Sequence, residues 1–305
     1  MKLIKKILIM ICVFSLIFCS FSLYIGNYLY DYILNPHSSK NISEKIKINQ
    51  SKKYENQKWL EEHSQSLKML TFDQLSLHAY YIDHQSDVYM ILVHGYRGDG
   101  TTILSPIKNF NQWGYNLLIP DLRGHGRSEG NYIGMGWIDR LDILEWIDYI
   151  IQKDENAKII LYGVSMGGAT VMNVAGENPP SQVKAVIEDC GYTSAKDMLF
   201  NQIAEYGKWS QIVLFMSEFA TYFRAGYDLE DASPIKQVKK ATLPILFIHG
   251  SLDDFVPFSM LDELYHEAHF PKEKLIIQGA NHANSCSVNS QLYYSTIKKF
   301  ILKYI

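Results

Sequence analysis

The sequence predicts an α/β fold, doubly wound around a mostly parallel sheet. Three apolar runs, at residues 88–93, 115–120 and 158–162, show no polar alternation. Such a run indicates a strand covered on both faces, as in a parallel sheet. Helical patterns at residues 102–113 and 137–152 separate the three runs. Strand and helix therefore alternate, which is the pattern of a sheet with helices on both faces.

The remaining elements extend this sheet at both ends. Residues 67–83 alternate loosely and predict an antiparallel hairpin at a sheet edge. Later strands are predicted at residues 183–187, 244–250 and 274–277, with helices at 260–269 and 288–304. Between residues 192 and 238 the alternation of strand and helix is interrupted, which predicts an inserted segment.

The amino terminus predicts one transmembrane helix. Lys2, Lys5 and Lys6 precede 24 uncharged residues, 7–30. As a helix this run is about 36 Å long, against a hydrocarbon core of about 30 Å. The lysines place the amino terminus in the cytoplasm by the positive-inside rule. We therefore divide the chain into an anchor (1–34), a polar tether (35–66) and a globular domain (67–305), and expect a single-pass protein with its domain outside the cytoplasm.

Two other interpretations of the apolar run stay open. A cleaved signal peptide begins with the same charge pattern, but no clear A-x-A-type cleavage site follows residue 30. A cytoplasm-facing hairpin is the third interpretation. We favour the uncleaved signal anchor.

Composition excludes several classes of protein. Hydrophobic residues make up 47% and charged residues 20%, as in ordinary globular domains, and the net charge of −3 argues against a nucleic-acid partner. Cys190 and Cys286 fall in loops and either pair as a disulfide or remain free thiols. No C-x-x-C or histidine-rich ligand pattern occurs, so no metal site is predicted.

The pentapeptide at residues 163–167 has the pattern G-x-S-x-G, between a predicted strand and a predicted helix. In that context it is typical of a nucleophile elbow, a tight turn that exposes the hydroxyl of Ser165. The alternative is an ordinary glycine-rich turn. A second glycine-rich turn, at residues 121–128, lacks the G-K-[ST] ending of a phosphate-binding loop.

Candidate partners for Ser165 follow later strands. Asp253 and Asp254 lie after the strand at 244–250, and His282 lies after the last predicted strand. Asp189 is an alternative acid. His94 and His249 are alternative bases, although each ends a strand before a glycine and is better suited to shaping a loop.

Together, His94-Gly95, the Asp-Leu-Arg-Gly-His-Gly-Arg-Ser block at 121–128 and the elbow resemble the α/β-hydrolase family over residues 67–305. More narrowly they resemble its serine esterase and S33 aminopeptidase-like branch, including membrane-anchored hydrolases of Gram-positive bacteria. The resemblance implies the catalytic order Ser165, Asp253, His282, and an oxyanion hole of the Tyr96 and Met166 backbone N–H groups. Residues 249–257 match H-G-x-x-D-x-x-V-P, which favours Asp253 over Asp254.

This resemblance implies acyl transfer through an acyl-serine, with no cofactor. Members of this family commonly carry a helical cap at such an insertion, so the resemblance implies a cap at residues 192–238. It has eight aromatic residues between positions 200 and 227, which predicts that some line an apolar substrate pocket. They are equally suited to the core of extra helices. We therefore predict a carboxylesterase acting on apolar, small-molecule substrates. A peptidase, an acyltransferase on the same fold and an inactive binding protein are the alternatives.

Overall fold

The computed structural model describes residues 2–38, 50–203, 207 and 210–305. The strands in this part of the chain are β1 (Gln65–Leu70), β2 (Ser76–Ile82), β3 (Val88–Val93), β4 (Asn116–Pro120), β5 (Lys158–Val164), β6 (Val183–Asp189), β7 (Ile245–Gly250) and β8 (Lys272–Ile277). The helices are α1 (Lys2–Ile33), α2 (Gln50–His63), α3 (Leu104–Asn111), α4 (Asp139–Lys153), α5 (Met166–Ala175), α6 (Ala195–Ile203), α7 (Ser210–Ala225), α8 (Pro234–Val238), α9 (Ser259–Glu267), α10 (Ser285–Val288) and α11 (Ser290–Ile301).

Within the described residues the eight strands form one sheet, in the order β1-β2-β4-β3-β5-β6-β7-β8. The strands from β4 to β8 pair in parallel, whereas β2 is antiparallel to both β4 and β1. The predicted doubly wound, mostly parallel fold is confirmed, and so is the antiparallel hairpin at its edge. The carboxyl ends of the parallel strands meet at one edge, where open sheets of this kind collect their functional residues.

Both faces of the sheet are covered, which explains the apolar runs in the sequence. Successive residues of a strand point to opposite faces. In β3, Ile91 therefore joins a core with Trp146 of α4, whereas Leu92 joins a second core with Phe110 of α3 and Phe300 of α11. All five side chains are fully buried.

The amino-terminal helix α1 differs between its two ends. Its residues 3–21 are exposed and, from Ile7 onward, uncharged, and the helix is long and apolar enough to cross a membrane. Its carboxyl-terminal part packs against α7, so closely that a Cβ atom on Gly26 would lie 2.5 Å from the carbonyl oxygen of Met216. Ile33 and the following Leu34 are buried in the domain core.

The predicted division into anchor, tether and domain stays a prediction, and residues 39–49 of the tether lie outside the described residues. The second half of that segment forms α2, which packs on the domain. Leu60 is fully buried, the Asn56 side chain donates to the Thr101 carbonyl oxygen at 2.8 Å, and Lys53 pairs with Asp99 at 2.7 Å. Helices α6 and α7 occupy the position of the predicted cap, between β6 and α8.

Candidate active site

Ser165 occupies the turn between β5 and α5 with φ 58° and ψ −119°. A non-glycine residue in this region of backbone space carries strain, on the order of 1–3 kcal/mol, and such strain is concentrated at functional sites. The turn is held by two backbone hydrogen bonds. Ser165 N–H donates to the Asp189 carbonyl oxygen at 2.8 Å, and its own carbonyl oxygen accepts from Ala169 N–H at 3.0 Å.

The two glycines of the elbow are required by close backbone contact. A Cβ on Gly163 would lie 2.1 Å from the carbonyl oxygen of Gly167, and a Cβ on Gly167 would lie 2.2 Å from that of Val93. No side chain fits at either distance. The glycines therefore let the turn close and let α5 begin directly against the end of β3.

His282 lies between Ser165 and Asp253 and contacts both. Its Nε2 is 2.8 Å from the Ser165 Oγ, and its Nδ1 is 2.8 Å from the Asp253 Oδ2. With a proton on Nδ1, the imidazole donates to the carboxylate and accepts from the serine hydroxyl. The structure thus brings together the three side chains that the sequence singled out, from three separate loops.

Asp253 is a buried carboxylate with most of its acceptor capacity in use. Its Oδ1 accepts from the N–H groups of Phe255 and Val256 at 3.0 and 2.9 Å. Its Oδ2 also lies 3.3 Å from the Nε2 of His249. Burial opposes ionisation of Asp253, but hydrogen bonds from His249 and His282 outweigh it and hold the pKa of this carboxyl well below its usual range. The adjacent Asp254 is exposed.

The alternative acid and bases have other partners. Asp189 accepts a hydrogen bond from the Tyr293 hydroxyl at 2.8 Å, and burial raises the pKa of this carboxyl to about 6. His94 accepts from Leu122 N–H at 3.0 Å and faces the carbonyl oxygen of its neighbour Gly95 through Nδ1. The His249 Nε2 contacts the Asp253 carboxylate, and the same atom also hydrogen-bonds to the carbonyl oxygen of Val256, 3.0 Å away.

The loop after β3 passes directly beside the serine. A Cβ on Gly95 would lie 3.2 Å from the Ser165 Cβ and 3.7 Å from its Oγ. The next residue, Tyr96, contributes one of the two backbone N–H groups of the predicted oxyanion hole. The other belongs to Met166, the first residue of α5, where a helical N–H group has no partner within the helix.

Two histidines fix this loop, and sequence reasoning did not assign that role to His125. The His125 Nε2 accepts from Arg97 N–H at 3.1 Å, and its Nδ1 faces the Arg123 carbonyl oxygen at 2.9 Å. Burial and the neighbouring His94 lower the pKa of His125 to about 3, so the ring is neutral and able to accept. The sequence feature that could have indicated this role of His125 is the Gly-His-Gly part of the 121–128 block, which carries part of the resemblance to the family.

The carboxylate of Asp121, in the same block, accepts hydrogen bonds from three separate segments of the chain. Its Oδ1 accepts from Gly100 N–H at 3.1 Å, and its Oδ2 accepts from Arg127 N–H and from the His78 side chain, both at 3.0 Å. The block therefore supports the loop that carries Gly95 and Tyr96.

Cys190 lies beside the histidine and the acid. Among the described residues, Cys190, Asp253 and His282 offer ligand atoms within 4.8 Å of one another. Metal binding requires a thiolate, but burial raises the pKa of the Cys190 thiol well above its usual range. Asp253 and His282 are also committed to each other, so the set fits a metal poorly. Cys190 and Cys286 are both free thiols.

Most of the described cap aromatics do not form an enclosed pocket. Phe215, Phe219, Tyr222 and Phe223 are exposed on α7. Tyr227 is buried and donates to the Ile133 carbonyl oxygen at 3.0 Å. Phe200 packs partly against the core. Tyr206 and Trp209 lie outside the described residues.

Comparisons with known proteins agree with this fold. Residues 84–217 match the family described as serine aminopeptidase, S33. The uncharacterized protein YqkD of Bacillus subtilis strain 168 is 29% identical over 220 residues, covering 72% of each chain. The uncharacterized protein YfhR of Escherichia coli K12 is 26% identical over 216 residues, covering 70% of this chain and 69% of its own.

Among solved structures, the esterase Pf2001 of Pyrococcus furiosus is similar, with a TM-score of 0.65 and 20% sequence identity. The match covers 81% of this chain and 93% of that one. At this identity the likeness establishes the fold.

Proposed function

We propose that this chain is a serine hydrolase of the α/β-hydrolase superfamily, which cleaves carboxylic esters through an acyl-serine intermediate. Its match to the serine aminopeptidase family over residues 84–217 and its esterase-like fold support this proposal. The observation that carries this proposal is the pair of 2.8 Å contacts that His282 makes to Ser165 on one side and Asp253 on the other. A serine hydroxyl needs such a base, because it is a weak nucleophile at neutral pH.

Each residue then has one role in the reaction. The Ser165 Oγ attacks the ester carbonyl carbon while the His282 Nε2 takes its proton. His282 next gives that proton to the departing alkoxide, which leaves as the alcohol, and Ser165 keeps the acyl group. A water molecule then attacks the acyl-serine by the same proton relay, releasing the carboxylic acid and restoring the serine. Asp253 holds the imidazole in the required tautomer and stabilises the imidazolium.

The negative charge that develops on the carbonyl oxygen needs donors fixed in advance. We assign this role to the N–H groups of Tyr96 and Met166. Loss of one donor in such a site typically costs about 2.7–4 kcal/mol of transition-state stabilisation. His94 and His125 hold this loop in place by hydrogen bonds, which is consistent with a donor that is fixed in advance.

Three acids that an aminopeptidase could use are neutral or already paired, which favours an ester over a peptide with a free amine. An aminopeptidase requires a carboxylate free to bind the substrate ammonium. Burial raises the pKa of Glu188 to about 8, so its side chain is neutral near pH 7. Asp189 is hydrogen-bonded to Tyr293, and Glu230 pairs with Lys196. Amide cleavage remains the competing activity, favoured by the family match.

We further propose that α1 stays attached as a membrane anchor, with the domain outside the cytoplasm. Tyr30, Ile33 and Leu34 are buried against the domain, so removal of α1 would uncover part of the core. The lysines before the apolar run favour a cytoplasmic amino terminus. Protease added to intact spheroplasts should then digest the domain, and full protection would contradict this topology.

The test of the activity uses the full chain in detergent. A fluorophosphonate probe should label the wild type and leave Ser165→Ala unlabelled. Rates on p-nitrophenyl esters of graded chain length should exceed those on aminoacyl amides. Labelling that persists in Ser165→Ala would refute the serine assignment, and a preference for the amides would replace the esterase by a peptidase. Transfer of the acyl group to an added alcohol in preference to water would instead indicate an acyltransferase.

A further inference from the structure

The outward side of α7 is apolar along its whole length. Five large side chains, all exposed, recur there at helical spacing, and we call them the outer stripe: Ile212, Phe215, Phe219, Tyr222 and Phe223. Phe215 and Phe223 have 67% and 68% of their surface exposed. A surface helix normally turns a polar face to water. A contiguous exposed apolar patch indicates instead a surface that another phase or molecule covers.

The charged residues of α7 do not interrupt this stripe. Glu218 pairs with Lys196 of α6 at 2.9 Å, and Arg224 pairs with Asp31 of α1 at 2.9 Å. Both are therefore directed toward neighbouring helices. The side chains of α7 that face inward include Leu214, Thr221 and Ala225, which are buried.

The outer stripe continues the exposed apolar surface of α1. Gly26 lies against Met216 and Ala220, while Asp31 lies against Arg224, so the two helices run side by side in the same direction. The amino-terminal end of α7 therefore points toward the exposed, uncharged residues 7–21 of α1. A membrane or molecule that covers that part of α1 therefore also contacts Ile212, at the beginning of the outer stripe.

Helix geometry gives the depth of the outer stripe relative to the hydrocarbon core of the bilayer. About 20 residues at 1.5 Å each cross the hydrocarbon core, so a span that begins at Ile7, directly after Lys5 and Lys6, ends near Gly26. Gly26 and its neighbour Met216 then lie at the edge of the hydrocarbon, where the lipid headgroups begin. Tyr24 and Tyr28 are exposed on α1 at this level, and tyrosine is enriched at membrane interfaces.

We propose that the outer stripe of α7 lies in the headgroup region of the bilayer that α1 spans, with Ile212, Phe215 and Phe219 in contact with lipid. This inference rests on the anchored arrangement proposed above and adds a second membrane contact to it. The two contacts fix the orientation of the domain, because α1 crosses the membrane and the amino-terminal end of α7 enters the headgroup region beside it.

This orientation also indicates the substrate class. Ile33 ends α1 about 10 Å beyond the hydrocarbon edge at 1.5 Å per residue, and the Tyr96 hydroxyl donates a hydrogen bond to the Ile33 carbonyl oxygen. The catalytic loop is thereby held close to the membrane surface. The substrate that fits is an amphiphilic ester whose apolar part resides in the same bilayer.

The first test measures depth in the membrane with spin labels on the full chain. Cys12, Cys19 and Cys286 are changed to serine, and single cysteines are introduced as Leu8→Cys, Phe215→Cys or Phe72→Cys. Phe72 is the matched control, since it is an exposed phenylalanine outside α1 and α7. The labelled proteins are placed in phosphatidylcholine–phosphatidylglycerol vesicles.

Labels at positions 8 and 215 should collide more with oxygen than with a water-soluble nickel chelate, and the label at 72 should do the reverse. A water-exposed label at 215 with position 8 in lipid would overturn the docking of α7 and leave the anchor intact. Water exposure at position 8 would overturn both. The same depths are expected on a Ser165→Ala background, so the result does not depend on the proposed activity.

The second test separates the substrate class from the docking. Phe215, Phe219 and Phe223 are changed to serine together, with Phe72→Ser as the control. Hydrolysis of a dilute short-chain ester in water should stay within about twofold of wild type. Hydrolysis of a long-chain ester carried in the vesicles should fall at least tenfold. Unchanged rates on both esters would refute a membrane-borne substrate, whatever the spin labels report.

Discussion

The side-chain hydroxyl of Tyr96 donates a hydrogen bond to the carbonyl oxygen of Ile33, the last residue of α1. The residue whose backbone N–H we assign to the oxyanion hole therefore also holds the end of the anchor helix. Its neighbour Arg97 adds hydrogen bonds to the carbonyl oxygens of Tyr32 and Asn35, both at 3.2 Å. The last carbonyls of a helix lack intrahelical partners, and here the catalytic loop supplies them.

Removing that hydroxyl tests whether the anchor positions the loop. Tyr96→Phe retains the backbone N–H and the ring but loses the bond to Ile33, which should cost about 1 kcal/mol of stability. We expect kcat on a soluble ester to fall several-fold with KM nearly unchanged, because the loop is less well fixed. The exposed Tyr54, changed to phenylalanine, is the control. A Tyr96→Phe enzyme with wild-type kcat would separate the anchor contact from catalysis.

Replacing the two neighbouring aspartates separates their roles. Asp253→Asn should leave His282 in the wrong tautomer and lower kcat by a factor on the order of 10⁴, by analogy with the serine proteases. Asp254→Asn should lose less than tenfold, or at most about 1.4 kcal/mol, because this side chain is exposed. Both are measured as purified full-length proteins in one ester assay. The opposite ranking would remove Asp253 from the mechanism.

Glu188 should make the protein less stable as the pH rises. Burial raises the pKa of this carboxyl to about 8, from an ordinary value near 4.5. The folded state therefore holds a proton that the unfolded state has lost between these values. The stabilising contribution is fully present below pH 4.5 and is lost as the pH rises through 8.

Glu188→Gln removes this linkage. Between pH 5 and pH 8 the free energy of unfolding of the variant, relative to that of the wild type, should rise by up to about 4 kcal/mol, at about 1.4 kcal/mol per pH unit. Chemical unfolding of both proteins at a series of pH values measures the difference. Exposed Glu263, changed to glutamine, should follow the wild type at every pH. A constant difference between wild type and Glu188→Gln would show that the carboxyl is not protonated in the fold.

His125→Ala should weaken the loop from its other side. The change leaves the Arg97 N–H without its acceptor, at a cost of about 1–3 kcal/mol for a buried donor. We expect a lower Tm and a lower kcat, with alanine at exposed His269 as the control. If His125→Ala loses stability but keeps full kcat, the histidine supports the fold without positioning the oxyanion hole.

Local patterns in the sequence were sufficient for the sheet and for the residues of the candidate site. Buried parallel strands produce uninterrupted apolar runs, and the loops at their carboxyl ends carry Ser165, Asp253 and His282. Since those ends share one edge, the order of strands along the chain was enough to expect that the three side chains lie close together. Their catalytic roles stay a proposal.

The sequence did not predict contacts between segments far apart in the chain. The direction in which the α7 aromatics point depends on how α7 packs against α1, and helical spacing alone fits an inward or an outward stripe equally well. The hydrogen bonds from the 94–97 loop to His125 and Ile33 likewise depend on tertiary packing. Neither partner has a local pattern that identifies the other.

The pairing of the first helix with α7 also has a consequence for biosynthesis. Asn27 and Arg224 form a hydrogen-bonded pair although they are 197 residues apart in the chain. At about 5–20 residues per second, a ribosome needs roughly 10–40 s to make the segment between them. During that interval the buried face of α1, including Ile33, has been synthesised but α7 has not. Each new molecule therefore passes through a stage that needs a chaperone, the translocation machinery or the bilayer to shield that face.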